Sequence, residues 1–325
     1  MIKKTLSAVL LAALLLSALA GCSAVPRKRT ALTVGQAEID NEVFAYCFDA
    51  ACTEAEKHGD ALTNTQALTE RAVELCCAYV EATTQFEQMG MKLDAESRKA
   101  ISVNSEECWR LYGGYYARAG VSKPTVGKIE AARQYRTALL LYYFGEGSEY
   151  EVTEEEIEYY FDQNYVEFEA IVGYLTAPDE SGETVPLTEQ EANDLRASFS
   201  DKRSRIKSGE TLTQVNDDIE VSPTFVSVNN SAYPEGFLKQ VAALPYNEPT
   251  VIEADEYLFL VVRLDAKEGD DNNYTNYRTR YIDALRGETL DEMLIATAKE
   301  YPTQRHDRVM ERAAKKVLDA RKTKE

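Results

Sequence analysis

The stretch Glu256-Tyr257-Leu258-Phe259-Leu260-Val261-Val262-Arg263-Leu264 limits the fold more than any other part of this chain. An unbroken run of large, β-branched and aromatic side chains, too short for a helix of ordinary length, reads as a buried strand closing a small sheet. Just upstream, Phe237 to Leu244 has helical spacing, and Pro245-Tyr246-Asn247-Glu248-Pro249 ends that helix. A second strand is expected at Glu169-Ala170-Ile171-Val172-Gly173-Tyr174-Leu175-Thr176, followed by the acidic loop Pro178 to Glu183. A charged helix from Thr188 to about Ser208 comes next. Strand, loop, long helix, irregular stretch, short helix and final strand make an α+β module over 167–266, roughly 100 residues and a normal domain size.

Helices flank the module on both sides. Val43, Phe44, Cys47, Phe48, Ala51, Cys52 and Ala55 recur at three- and four-residue steps, the pattern of an amphipathic helix. Thr65 to Met89, Asp94 to Tyr112 and Pro124 to Phe144 read as three more. Thr153-Glu154-Glu155-Glu156 is a capping box that starts a helix toward Tyr165. Beyond the polar linker at Lys267–Asn273, helices are expected at Tyr274–Arg286, Thr289–Tyr301 and Gln304–Lys322, with Pro302 between the last two. Three amphipathic helices need a partner face that a small module does not supply, so residues 267–325 are expected to return to the helical domain at 33–166. The fold class is therefore α+β, a discontinuous helical frame with an inserted module.

The N-terminus is a targeting segment. Lys3 and Lys4 precede an apolar run from Leu6 to Ala20, too short for a spanning helix of about 20 residues. The run ends in Leu19-Ala20-Gly21-Cys22, which resembles the lipobox of bacterial lipoproteins. Residues 1–21 then form a signal peptide, Cys22 carries the lipid, and 22–32 is a tether. That puts the protein outside the cytoplasmic membrane, held to it through its N-terminal lipid. The formal charge is −19; without Lys3 and Lys4 the 34 remaining basic residues face 55 acidic ones, giving −21. Such a balance opposes binding to nucleic acid and adsorption to anionic lipid.

The order of elements resembles the parvulin-type peptidyl-prolyl isomerase domain set into the helical frame of PrsA/SurA-type extracytoplasmic foldases. Thr33-Val34-Gly35-Gln36-Ala37-Glu38-Ile39-Asp40 is similar to that family's opening strand and Gly turn, and Tyr112-Gly113-Gly114-Tyr115-Tyr116-Ala117-Arg118-Ala119-Gly120-Val121-Ser122 to its bend between helices. The family's His-Ile-Leu element falls on Gly173-Tyr174-Leu175, and its Gly-Tyr-His-Ile-Ile-x-Leu strand on the run ending at Leu264. Gly173 and Leu260 therefore stand where the family has its two histidines. The Gly-Asp-Leu-Gly element is also missing, with Ser222-Pro223-Thr224-Phe225-Val226 in its place. The resemblance implies a foldase-like chaperone for unfolded exported polypeptides. It also implies that Phe225, Tyr233, Phe237 and Tyr257 line an apolar floor for a peptide, and that isomerase activity is weak or absent. The same four residues also suit the core of a sheet and helix.

No catalytic residue is assigned. His58 and His306 are the only histidines and lie outside the module, and no HExxH, CxxC, P-loop, GxSxG or EF-hand pattern occurs. Neither a cofactor nor a metal site is expected. Cys47, Cys52, Cys76, Cys77 and Cys108 all fall in the N-terminal helices; a bridge from Cys47 or Cys52 to Cys76 and buried thiols are both open. Twenty Tyr beside ten Phe and one Trp suit either a helical core or broad, sequence-tolerant contact with unfolded chains. Two other readings fit the same residues: an active peptidyl-prolyl isomerase with altered site residues, and a solute-binding or envelope-scaffold lipoprotein.

Overall fold

The computed structural model describes residues 28–268 and 272–323. The expected signal peptide, Cys22 and most of the tether lie outside the described residues. In chain order the elements are β1 (Thr30–Val34), β2 (Ala37–Asp40), α1 (Asn41–Lys57), α2 (Thr65–Gln88), α3 (Ala95–Ala119), α4 (Lys123–Phe144) and α5 (Glu154–Asn164). There follow β3 (Tyr165–Tyr174), β4 (Thr176–Pro178), β5 (Thr184–Pro186), α6 (Glu189–Lys207), α7 (Leu212–Val215), β6 (Thr224–Ser227) and α8 (Phe237–Ala242). The last are β7 (Pro249–Ala254), β8 (Tyr257–Leu264), α9 (Asn273–Asn276), α10 (Arg278–Ala298), β9 (Thr303–Arg305) and α11 (Asp307–Lys322). The fold is α+β. No helix among the described residues is long and apolar enough to cross a membrane.

Two compact units share the chain, one made of residues 1–139 with 289–325 and the other of 140–288. In the first, β1 sits between β2 and β9, antiparallel to both, so residues 30–40 and 303–305 meet in one sheet. Asp40 caps α1 by accepting hydrogen bonds from the N–H groups of Glu42 and Val43 at 2.9 and 3.0 Å. The α1 stripe of Phe44, Cys47, Phe48, Ala51 and Cys52 is buried against Leu68, Ala72, Cys76 and Val80 of α2. Met310, Ala313, Ala314, Val317 and Ala320 of α11 enter the same core, which is how the last helix rejoins the first ones. Bidentate pairing of Arg305 with Glu70, at 2.6 and 2.8 Å, ties β9 to α2.

The second unit is built on a four-stranded antiparallel sheet in the order β6-β3-β8-β7. Its centre is the register between β3 and β8, from Glu167 opposite Leu264 to Tyr174 opposite Tyr257. Both faces are covered. Phe237, Leu238 and Val241 of α8 pack on Phe168, Phe259 and Val261. On the other face, Phe199 of α6 with Leu212 and Val215 of α7 packs on Ile171, Leu258 and Leu260. Capping boxes at Thr153/Glu156 and Thr188/Glu191 start α5 and α6.

Several details differ from the expectations. The α+β unit runs from 140 to 288, wider than 167–266, because an aromatic cluster fastens α5, α9 and the start of α10 to the sheet. Phe161 lies 5.5 Å from Tyr281 and 5.1 Å from Tyr274, and Tyr165 lies 5.3 Å from Tyr281. The helices expected at Tyr274–Arg286 and Thr289–Tyr301 are the single turn α9 and the continuous α10. Gly287 costs a helix only about 1 kcal/mol, which burial of Tyr281, Ile282, Leu290 and Leu294 outweighs. Gln304 belongs to strand β9 rather than to a helix. The helix expected to end at Tyr112 continues to Ala119, and the bend falls at the far end of the 112–122 stretch, where Gly120 in the left-handed region separates α3 from α4. Gly113 instead lets the Trp109 ring lie against the helix, where a Cβ would come within 2.9 Å of it.

Candidate functional site

Alternation along β3 sorts its residues onto two faces. Phe168, Ala170, Val172 and Tyr174 point to the α8 side, while Ile171 and Gly173 point to α6. The α8 side carries a stack of rings. Phe237 lies 4.1 Å from Phe259 and 5.7 Å from Tyr233, and Tyr233 meets Phe168 edge-on at 5.9 Å. Tyr257 continues the line, 5.8 Å from Phe259 and 5.5 Å from Tyr174. Burial fades along β3: Phe168 is buried, Val172 is 43% exposed and Tyr174 is 61% exposed. An apolar floor thus runs from the core of the module out to solvent.

Beside this floor is a cleft of about 350 Å³. Phe168, Ala170, Ile171, Val172, Val221, Tyr233 and Phe259 form its apolar wall, and Asn216, Glu220, Ser222 and Thr224 its polar one. The polar groups are a carboxylate, an amide and hydroxyls, with no histidine among them. They can hydrogen-bond a peptide main chain.

Of the four residues expected to line a peptide floor, the structure brings three together: Tyr233, Phe237 and Tyr257 lie on the α8 face. Phe237 is fully buried there, so it supports the floor from beneath. Phe225 is elsewhere. It sits opposite Glu167 on β6, and its ring stacks on Tyr165 at 5.3 Å, Tyr277 at 5.4 Å and Phe161 at 6.0 Å. Phe168, Val172 and Phe259 were not singled out from sequence; the even-numbered alternation of β3 is the signal that points to the first two.

Gly173 and Leu260 both face α6, and neither lines the cleft. Leu260 is buried among Phe199, Leu212 and Val215, and it is Ile171 that lies directly opposite it. A side chain on Gly173 would run into Phe199, with the ideal Cβ 2.9 Å from Cζ. Neither position holds a polar group, and neither opens on the apolar floor. Glu169, the next residue of this parity, is half-buried and burial pushes its carboxyl above the usual range.

No family model matches the sequence, and no curated protein matches it. Among solved structures the chain is similar to the foldase protein PrsA of Streptococcus pneumoniae. The identity is 16% over 70% of this chain and 81% of that one, with a TM-score of 0.37. It is similar to the foldase protein PrsA of Lactococcus lactis at 11% identity, over 89% of this chain and 99% of that one, with a TM-score of 0.38. A SurA-like chaperone structure from Campylobacter jejuni is 11% identical over 85% of this chain and 98% of its own, with a TM-score of 0.29.

Proposed function

We propose that this protein is an extracytoplasmic, foldase-like chaperone, anchored through lipid on Cys22, whose α+β unit binds unfolded exported polypeptides without efficient prolyl isomerisation. The observation that carries the reading is the floor of the cleft. Val172 and Tyr174 are exposed apolar side chains continuous with the buried stack of Phe168, Phe259 and Phe237. Exposed apolar surface joined to a cleft and edged with polar groups is the ordinary mark of a binding site for apolar chain segments. Reversible burial of such a segment suffices to slow aggregation. Isomerisation asks more, because the site must favour the twisted amide over the planar one against a rotation barrier of about 18–20 kcal/mol. The cleft offers no histidine for that purpose.

The test pairs two assays on the mature protein. Aggregation of a chemically unfolded client is expected to slow at roughly stoichiometric protein, whereas cis/trans exchange of a short proline peptide stays near its spontaneous rate. Isomerase activity lost on Phe237→Ala would favour the enzyme reading instead. Absence of client protection, with tight uptake of one small solute, would favour a solute-binding lipoprotein. For the anchor, a radiolabelled fatty acid is expected to label the wild type and not Cys22→Ala.

A further inference from the structure

One edge of β3 is incompletely paired. The strand is ten residues long. On one side β8 pairs with it from Glu167 to Tyr174, but on the other side β6 reaches only from Tyr165 to Phe168. The parity of the ladder follows from its ends. The Val228 N–H donates to the Asn164 carbonyl at 2.9 Å, and the Leu175 N–H donates to the Glu256 carbonyl at 2.8 Å. In an antiparallel ladder every second residue bonds to the same neighbour. Even-numbered residues of β3 therefore turn their N–H and C=O groups toward the β6 side and odd-numbered ones toward β8. Beyond the end of β6, the main-chain groups of Ala170 and Val172 have no hydrogen-bond partner among the described residues.

The cleft lies along this stretch, with Ala170 and Val172 in its wall. The opposite edge of the sheet looks quite different. There β7 begins with Pro249, whose carbonyl accepts a hydrogen bond from Arg203 at 3.0 Å, and Glu253 is clasped by Arg196 at 2.8 and 2.9 Å. Proline and charge are the usual means of blunting a sheet edge. Residues 170–174 carry neither, and two of their side chains, Val172 and Tyr174, are exposed and apolar. Across the cleft, the loop after α7 exposes Asp217, Asp218 and Glu220.

We propose that the free edge of β3 at Ala170–Tyr174 is a strand-addition site, at which an extended, apolar polypeptide segment flanked by basic residues pairs with the main chain in line with β6. This deepens the chaperone reading and rests on it. Only an extended backbone presents N–H and C=O groups at the two-residue repeat that Ala170 and Val172 require. Its alternate side chains would lie over Phe168 and Tyr233, and its basic flanks beside the acidic loop. Five residues at about 3.4 Å each give a notch ~17 Å long. Recognition through the main chain makes the site tolerant of sequence, which suits unfolded clients.

The probe is a fluorescent peptide of alternating valine and threonine flanked by lysines, with a second version N-methylated at alternate residues so that its paired N–H groups are lost. The mature protein is expected to bind the first peptide about tenfold more tightly than the second. Adding the first peptide should slow amide hydrogen exchange at Ala170 and Val172. Val172→Pro, which removes one edge N–H, should weaken binding by a similar factor at an unchanged unfolding midpoint. Equal affinity for both peptides, or no new protection at Ala170 and Val172, overturns the strand-addition site. If client protection persists in that case, the chaperone reading stands with a floor that binds side chains alone. If client protection is absent as well, both fail.

Discussion

Gly173 on β3 lies against the ring of Phe199 on α6, so close that an added Cβ would stand 2.9 Å from Cζ and 3.0 Å from Cε2. Phe199 is buried and cannot swing away cheaply. Gly173→Ala is therefore expected to destabilise the α+β unit by about 1–3 kcal/mol, the usual cost of overpacking, seen as a lower urea midpoint. A midpoint unchanged within error would mean that the contact between α6 and the sheet is loose. For the same reason, Gly173→His with Leu260→His is expected to damage the fold rather than to create an isomerase.

A second contact closes the helical unit. Arg321, the penultimate residue of α11, meets the Asp49 carboxylate of α1 at 2.7 Å, and Asp49 also accepts a hydrogen bond from the Tyr115 hydroxyl. Both partners of the ion pair are largely shielded from water. Asp49→Ala leaves the guanidinium and the phenol without their shared acceptor, so a loss of about 2–4 kcal/mol is expected. Arg321→Met should cost at least as much, since it strips the shielded Asp49 carboxylate of its cation, whereas the guanidinium in Asp49→Ala keeps Glu56 at 2.8 Å. A clearly smaller loss in Arg321→Met would show that the Asp49 carboxylate does not depend on its cation.

The expected pH dependence has two opposing parts. Burial works upward on Glu42, but hydrogen bonds from Ser122, Thr125 and Lys28 outweigh it and hold the carboxyl below its ordinary 4.5. Its folded pKa lies below the unfolded one, so its contribution is complete above pH 4.5 and lost as pH falls through the folded value. Glu169 has the opposite sign. Burial raises its pKa, so its ionisation opposes folding once pH rises above 4.5. Glu42→Gln is expected to flatten the acid limb of a Tm-against-pH curve between pH 5 and 3, and Glu169→Gln to raise Tm at pH 7. A steeper acid limb in Glu42→Gln would contradict the hydrogen-bond network.

The sequence made the helical repeats of α1 and α2 and the capping box that starts α5 readable. It was less informative where main-chain pairing decides the structure. Thr303-Gln304-Arg305 has no apolar residue and becomes a strand only because β1 offers it a partner. The run that marks β8 also conceals its own geometry. Leu258, Phe259, Leu260, Val261 and Val262 are all buried, so hydropathy does not alternate along it. Which residues face the cleft depends on α8 and α6, the helices that cover the two sides. Phe259 could not be told from Leu260 on pattern alone, nor could Phe225 be separated from Tyr233 and Phe237. The free edge of β3 was hidden for a related reason: it is defined by where a different strand, β6, stops.

The cysteines lead to the last prediction. Cys47, Cys52, Cys76, Cys77 and Cys108 are free thiols, and all except half-buried Cys108 are buried. Cys47 and Cys76 contact one another from α1 and α2. Burial pushes the Cys52 thiol up to about 11 and also raises those of Cys76, Cys77 and Cys108, so it is greater exposure that sets Cys108 apart. Because the thiolate is the reactive form, high pKa and burial together suppress alkylation in the native state. At pH 8, a thiol reagent is expected to modify Cys108 first. Cys47, Cys52, Cys76 and Cys77 should follow only as the helical unit opens, at a rate that Asp49→Ala accelerates. Mapping the labelled peptides separates the sites. Rapid labelling of Cys76 in the wild type would show that the interface between α1 and α2 opens on its own. A Cys47–Cys76 disulfide in protein isolated without reductant would show instead that the two thiols are joined in the cell.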